Sequence, residues 1–67
     1  MAAPEGLSPD GESIYKVLTY EPQHISVLQE KTGLPVEKLM AALTELEIQD
    51  AATECENNRY KRAEQGL

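Results

Sequence analysis

Three cations near the end of this chain are the residues best suited to binding a ligand. Arg59, Lys61 and Arg62 fall within one four-residue run. Basic side chains at this spacing can neutralise the phosphates of a nucleic acid. Lys38 and Thr44, in a helical pattern earlier in the chain, could also reach a phosphate. These five residues are the candidate nucleic-acid contacts.

The rest of the chain opposes strong nucleic-acid binding. Residues 1–56 hold 11 acidic and 3 basic residues, a net charge of −8, whereas residues 57–67 hold 3 basic and 1 acidic, a net charge of +2. An acidic body repels phosphate, and the basic run is also typical of a solvated hairpin. Two classes stay open: a weak nucleic-acid accessory and a protein-interaction module. A sequence-specific transcription regulator is a third alternative.

The chemistry of catalysis and of metal binding finds no support in the sequence. His24 and Cys55 are single residues far apart, whereas a zinc site needs about four ligands at recurring spacing. G-x-S-x-G, P-loop and H-E-x-x-H motifs are absent. We therefore predict a domain that is not an enzyme and has no cofactor and no metal. His24 is expected to be structural, just before the second helix, and Cys55 to lie in a hairpin strand.

Length and composition predict one small domain. The 67 residues contain no apolar run of about 18 residues, so no membrane contact is predicted, and no secretory signal opens the chain. A single cysteine cannot form an internal disulfide, which favours the cytoplasm. We expect a flexible linker, or residues added for expression, over 1–7, a folded domain over 8–62 and a disordered tail over 63–67. The whole is expected to be part of a longer protein.

The first helix is predicted to begin at Ser8. A serine N-cap followed by Pro9 is a common helix start. Ile14, Val17 and Leu18 then form one apolar stripe, and Pro22 ends the pattern.

A short extended piece over 23–25 leads to a second helix at about 26–32. Ser26 and Gln29 match the capping-box pattern, in which each side chain satisfies a backbone N–H of the other residue. Gly33 is predicted to end this helix with a positive φ. A tight turn then leads into the third helix.

The third helix shows the strongest periodicity and is predicted to end near 46–48. Its buried stripe is predicted to be Val36, Leu39, Met40, Leu43 and Leu46. Its exposed positions include Glu37, Lys38, Ala41, Thr44 and Glu45, which lack the Arg, Asn and Gln that commonly contact bases. Two short runs, 51–55 and 59–62, follow around Asn57-Asn58, a pair suited to a hairpin turn.

This order of elements predicts a mainly α, α+β fold. Three helices with a tight turn before the third, then a small C-terminal β-hairpin, are typical of a winged helix-turn-helix. A three-helix bundle with a disordered tail is the structural alternative.

The sequence also resembles a known family over residues 8–62. The segments that carry the likeness are Glu21–Leu28 (EPQHISVL), Thr32–Val36 (TGLPV), Leu39–Ile48 (LMAALTELEI) and Asn58–Arg62 (NRYKR). Together they are similar to the C-terminal winged-helix domain of the DNA-processing protein A family (DprA, also called Smf). One departure is Asp50-Ala51-Ala52, where the family commonly has Gly and two aliphatic residues. This departure is expected to weaken the first strand of the hairpin.

The resemblance implies a bacterial, cytoplasmic protein that acts in natural transformation and recombination. In that family the full protein binds single-stranded DNA, chiefly through a Rossmann-like domain, and helps to load the recombinase RecA. The implied partners of this domain are therefore its own Rossmann-like domain, DNA bound weakly and without sequence preference, and RecA through the full-length protein.

Overall fold

The computed structural model describes residues 6–63, which form three helices and a three-stranded antiparallel sheet. The elements are α1 (Pro9–Val17), β1 (Gln23–His24), α2 (Ile25–Thr32), α3 (Val36–Ile48), β2 (Ala52–Cys55) and β3 (Arg59–Arg62). The strand order is β1-β3-β2. The predicted winged helix-turn-helix is confirmed. Over this range no helix is long and apolar enough to cross a membrane.

Helix α1 begins as predicted and ends earlier than predicted. The Ser8 Oγ accepts the Gly11 N–H at 3.1 Å, with Pro9 in the first turn. The helix ends at Val17, not at Pro22, and Leu18 is already extended. The backbone of the following residues is needed elsewhere, because the Thr19 carbonyl accepts the backbone N–H of Arg62 at 2.8 Å.

Helix α2 begins one residue before the predicted capping box, which is therefore wrong. His24 is the N-cap, and its Nδ1 accepts the backbone N–H of Ser26 at 3.1 Å. The start shifts because His24 already pairs with Arg59 in the sheet, so that the chain can turn into the helix directly after it. Gly33 ends α2 with φ 73°, which confirms the predicted positive φ.

Helix α3 ends at Ile48, within the predicted range, but its buried face is rotated from the predicted stripe. Val36 and Met40 remain 47% and 37% exposed, whereas Ala42 is only 4% exposed. The prediction counted large side chains alone. The small residue Ala42 is buried as well, which a count of large side chains does not register.

The core is aliphatic with two tyrosines. It consists of Ile14, Tyr15, Leu18, Leu28, Leu39, Ala42, Leu43, Leu46, Ala51, Ala52 and Tyr60. Ala51 and Ala52 are thus part of the core despite their small size. Partly buried side chains packed against it include Leu7, which the sequence placed in the linker.

The hairpin that forms the wing turns where the sequence predicted. Asn57 and Asn58 adopt positive φ values of 62° and 57°, a conformation that asparagine tolerates. The backbone N–H of Ala63, a residue assigned to the tail, donates to the Ala51 carbonyl at 3.0 Å. The linker prediction for residues 1–5 and the tail prediction for 64–67 lie outside the described range.

Candidate nucleic-acid interface

The sheet places two of the candidate cations on one face. Side chains alternate along a strand, and because Tyr60 is buried in the core, Arg59 and Lys61 lie on the outer face of β3. The positions that pair with these two cations across the sheet are His24, Thr53 and Cys55, none of them acidic. We call Arg59, Lys61 and these three neighbours the outer sheet face. An anion that approaches this face meets no carboxylate among these paired positions.

Arg62 belongs to the other face and is engaged inside the domain. Its Nη2 donates to the Tyr15 carbonyl at 2.9 Å, and its guanidinium carbon lies 4.4 Å from the centroid of the Tyr15 ring. Its buried Nε has no hydrogen-bond partner among the described residues. The carbonyl it contacts lies in the last turn of α1, where backbone acceptors lack helical partners. Arg62 therefore fastens β3 to α1, a role that the sequence run did not reveal.

The two candidate residues on α3 do not converge. Lys38 lines a groove between α1 and α3 that also contains Asp10, so that a carboxylate shares its surroundings. Thr44 lies about 120° away around the helix. Its hydroxyl donates to the Met40 carbonyl at 3.0 Å. Neither residue shares a face with the other, and a joint phosphate site on α3 has no geometric support.

Glu45, counted from the sequence as an exposed position of the third helix, caps α1 instead. Its carboxylate accepts the Ser8 hydroxyl at 2.8 Å and the Ser8 backbone N–H at 3.2 Å. A negative charge at a helix N-terminus is favourable. A Cβ added at Gly11 would meet this carboxylate directly, which explains a glycine inside a helix. In the sequence, the only sign of this contact is a glycine placed inside a helix. The contact could not be predicted directly, because Glu45 lies 34 positions away from Gly11 along the chain.

Carboxylates lie near both ends of α3. Burial raises the pKa of the Tyr60 hydroxyl above 10.0, and the nearby carboxylates of Glu54 and Glu47 raise this pKa further. Glu37 adds a carboxylate in the first turn of α3. The helix that would enter the major groove in a DNA-reading winged helix therefore presents negative charge.

The two residues considered for metal binding have other surroundings. His24 caps α2, and its Nδ1 also lies 2.9 Å from the Ser26 hydroxyl. Cys55 is a half-buried free thiol in β2, at a distance of 3.9 Å from the Thr53 carbonyl oxygen. Within residues 6–63 no group of three or more His, Cys, Asp or Glu side chains is arranged to hold a metal ion.

Comparisons with known proteins give one finding. The family model of the DprA winged helix domain matches residues 1–58, which include all three helices and the first two strands, β1 and β2. The match ends before Arg59, so the cations of β3 draw no assignment from it. Neither the curated proteins nor the solved structures gave a match. With most of its length covered by the family model and the corresponding fold in place, the chain belongs to the DprA winged-helix domain family.

Proposed function

We propose that this domain is a non-catalytic accessory module of a cytoplasmic DNA-processing protein that acts in natural transformation and recombination. Its family membership supports the DNA-processing context. In this proposal a Rossmann-like domain of the same protein carries the main single-stranded DNA site, and the full-length protein contacts RecA. The winged helix adds a weak contact with DNA of its own.

The observation that carries the DNA contact is the outer sheet face. Arg59 and Lys61 project there from β3, and their cross-strand partners are uncharged or histidine. Arg62 contributes little because Tyr15 engages it, and Lys38 shares its groove with Asp10. Two available cations correspond to about two phosphate contacts, which gives weak binding without sequence preference.

A titration with labelled duplex and single-stranded DNA at several salt concentrations tests this proposal. We expect a dissociation constant at or above about 10⁻⁴ M at physiological salt and a log–log salt slope of about −2. The double variant Arg59→Ala/Lys61→Ala should remove this binding. The matched control is Lys16→Ala, which removes an exposed cation from α1 and should leave most of the affinity.

The opposite result would establish the regulator alternative. Sub-micromolar, sequence-dependent affinity that survives the double alanine change would mean that α3 contacts bases despite its carboxylates. Salt-independent binding would likewise exclude phosphate contacts by Arg59 and Lys61 as its source.

A second candidate function is docking to protein, either to the Rossmann-like domain or to a separate partner. The observation that favours it is the exposed side of α3, which combines carboxylates with uncovered apolar side chains. Such a surface is unsuited to phosphate and suited to a protein partner.

A further inference from the structure

A row of four residues on α3 lies uncovered along the whole length of the helix. Val36, Met40, Thr44 and Ile48 follow one another at intervals of four positions, and we call this row the α3 ridge. Val36, Met40 and Ile48 are 47%, 37% and 78% exposed. The Thr44 hydroxyl is satisfied by the Met40 carbonyl, so this residue needs no polar partner from outside. The ridge runs for about 18 Å at 1.5 Å per residue.

The geometry of the ridge matches the way in which helices pack on one another. Rows of side chains at four-residue spacing form the ridges that fit into the grooves of a facing helix. Three full turns of such a row, mostly apolar and open to solvent, form a surface of the kind that marks protein contacts. Among residues 6–63 the other exposed large apolar side chains, Tyr20 and Val27, lie outside α3 and do not extend the row.

The charges beside the ridge determine the chemistry of its partner. Glu37 stands in the neighbouring row on one side, three positions before Met40. Glu47 stands in the row on the other side, three positions after Thr44, and Glu54 shares the surroundings of Tyr60 with it. Carboxylates on both flanks repel phosphate and attract lysine or arginine.

We propose that the α3 ridge docks a basic amphipathic helix of a partner protein, with apolar residues against the ridge and lysine or arginine facing Glu37 and Glu47. This inference rests on the protein-docking candidate given above and is independent of the outer sheet face. Apolar contact supplies affinity along the ridge, and the flanking carboxylates select a partner of positive charge.

A synthetic peptide tests the proposal on the full chain. The probe is an 18-residue helix with leucines at four-residue spacing and lysines on both flanks, titrated into ¹⁵N-labelled protein. A matched peptide carries glutamates in place of the lysines. We expect shifts in the α3 amides from Val36 to Ile48 with the lysine peptide, weaker binding as salt rises, and no binding of the glutamate peptide. Equal binding of both peptides, or shifts confined to other elements, would overturn the proposal.

Variants on and off the ridge provide the controls. Met40→Ser and Ile48→Ser each should weaken binding of the lysine peptide roughly tenfold. Because Ile48 is 78% exposed, its replacement leaves the core intact. Tyr20→Ser removes an exposed apolar side chain away from α3 and should leave the affinity unchanged. Unchanged affinity in both ridge variants would overturn the proposal.

DNA provides the last arm of the experiment. Shifts along the ridge on adding duplex DNA would overturn the assignment to protein. In the Arg59→Ala/Lys61→Ala variant we expect the lysine peptide to bind as it does to the unmodified chain. DNA binding and peptide binding are therefore removed by substitutions at different residues, so that failure of one proposal can be distinguished from failure of the other.

Discussion

A cation in this hairpin can stabilise the fold or contact DNA, and replacing Arg62 distinguishes these two roles. In the structure its guanidinium donates to the Tyr15 carbonyl and stacks on the Tyr15 ring. Arg59, three residues earlier, is exposed on the other face of the same strand. We therefore expect Arg62→Ala to lower stability with little effect on DNA affinity, and Arg59→Ala to do the reverse.

The magnitude follows from the contacts of Arg62. A hydrogen bond from a charged donor contributes about 1.5–3 kcal/mol, and a partly exposed cation–π contact contributes about 0.5–1 kcal/mol. Two costs offset about 1–2 kcal/mol of this stabilisation. They are the buried Nε without a hydrogen-bond partner and the entropy lost in ordering a long side chain. The net loss in Arg62→Ala is then about 1–2 kcal/mol. For a domain of this size that lowers Tm by roughly 5–15 °C.

Thermal and urea unfolding followed by circular dichroism measure this loss, with Arg59→Ala as the matched control. The control should stay within about 0.5 kcal/mol of the unmodified chain, as expected for an exposed site. Arg62→Lys should recover only part of the stability, because an ammonium lacks the planar stack. An unchanged Tm in Arg62→Ala together with a fall in DNA affinity would refute the structural role and return Arg62 to the phosphate-binding set.

Three further outcomes follow from the structure. Gly11→Ala should be neutral or destabilising in the unmodified chain, because its Cβ displaces the Glu45 carboxylate, yet should stabilise a Glu45→Ala background by about 1 kcal/mol. Equal effects in the two backgrounds, measured by thermal unfolding, would contradict this. Gly33→Val should cost about 1 kcal/mol or more through its φ of 73°, since beyond the two neighbouring residues no described atom lies within 4 Å of the added Cβ. Urea unfolding checks this against Gly33→Asn as the control, because asparagine tolerates a positive φ. The folded state holds the Tyr60 pKa above 10.0, so the neutral Tyr60 hydroxyl contributes to the free energy of unfolding. This contribution is complete below pH 10 and is lost as pH rises through the folded-state pKa. A Tyr60→Phe variant should therefore lose less stability than the unmodified chain above pH 10, and parallel pH profiles of the two would count against it.

The features that sequence predicted well depend on local backbone chemistry. The Ser8 cap, the positive φ of Gly33 and the Asn57-Asn58 turn each follow from what one or two residues permit. Because these local signals mark helix ends and the hairpin turn in the right order, they are sufficient to predict the winged helix-turn-helix. The end of α1 was missed because it depends on a bond between the Thr19 carbonyl and a strand more than 40 positions away.

The buried face of α3 was missed for a different reason. A helical wheel weighted by large side chains extends the core to Val36 and Met40, whereas the observed core is rotated toward Ala42. Ala42 is small and adds little to such a wheel, so a count of large side chains in one helix does not place it in the core. The same rotation leaves Val36 and Met40 uncovered and thereby creates the α3 ridge.

The sequence predicted the residue types of the candidate site but only some of their roles. Two long charged side chains, Glu45 and Arg62, bind the ends of α1. Helix α1 has nine residues, too few for stability on its own. Glu45 brings a negative charge to its N-terminus and Arg62 a positive charge to its C-terminus, from positions 37 and 47 residues away from their partners. Both signs complement the helix dipole. A composition count assigns these charges to the surface, whereas the fold places them at the ends of its first helix. Arg59 and Lys61 on the sheet are suited to an anion, whereas Glu37 and Glu47 beside the ridge are suited to a cation.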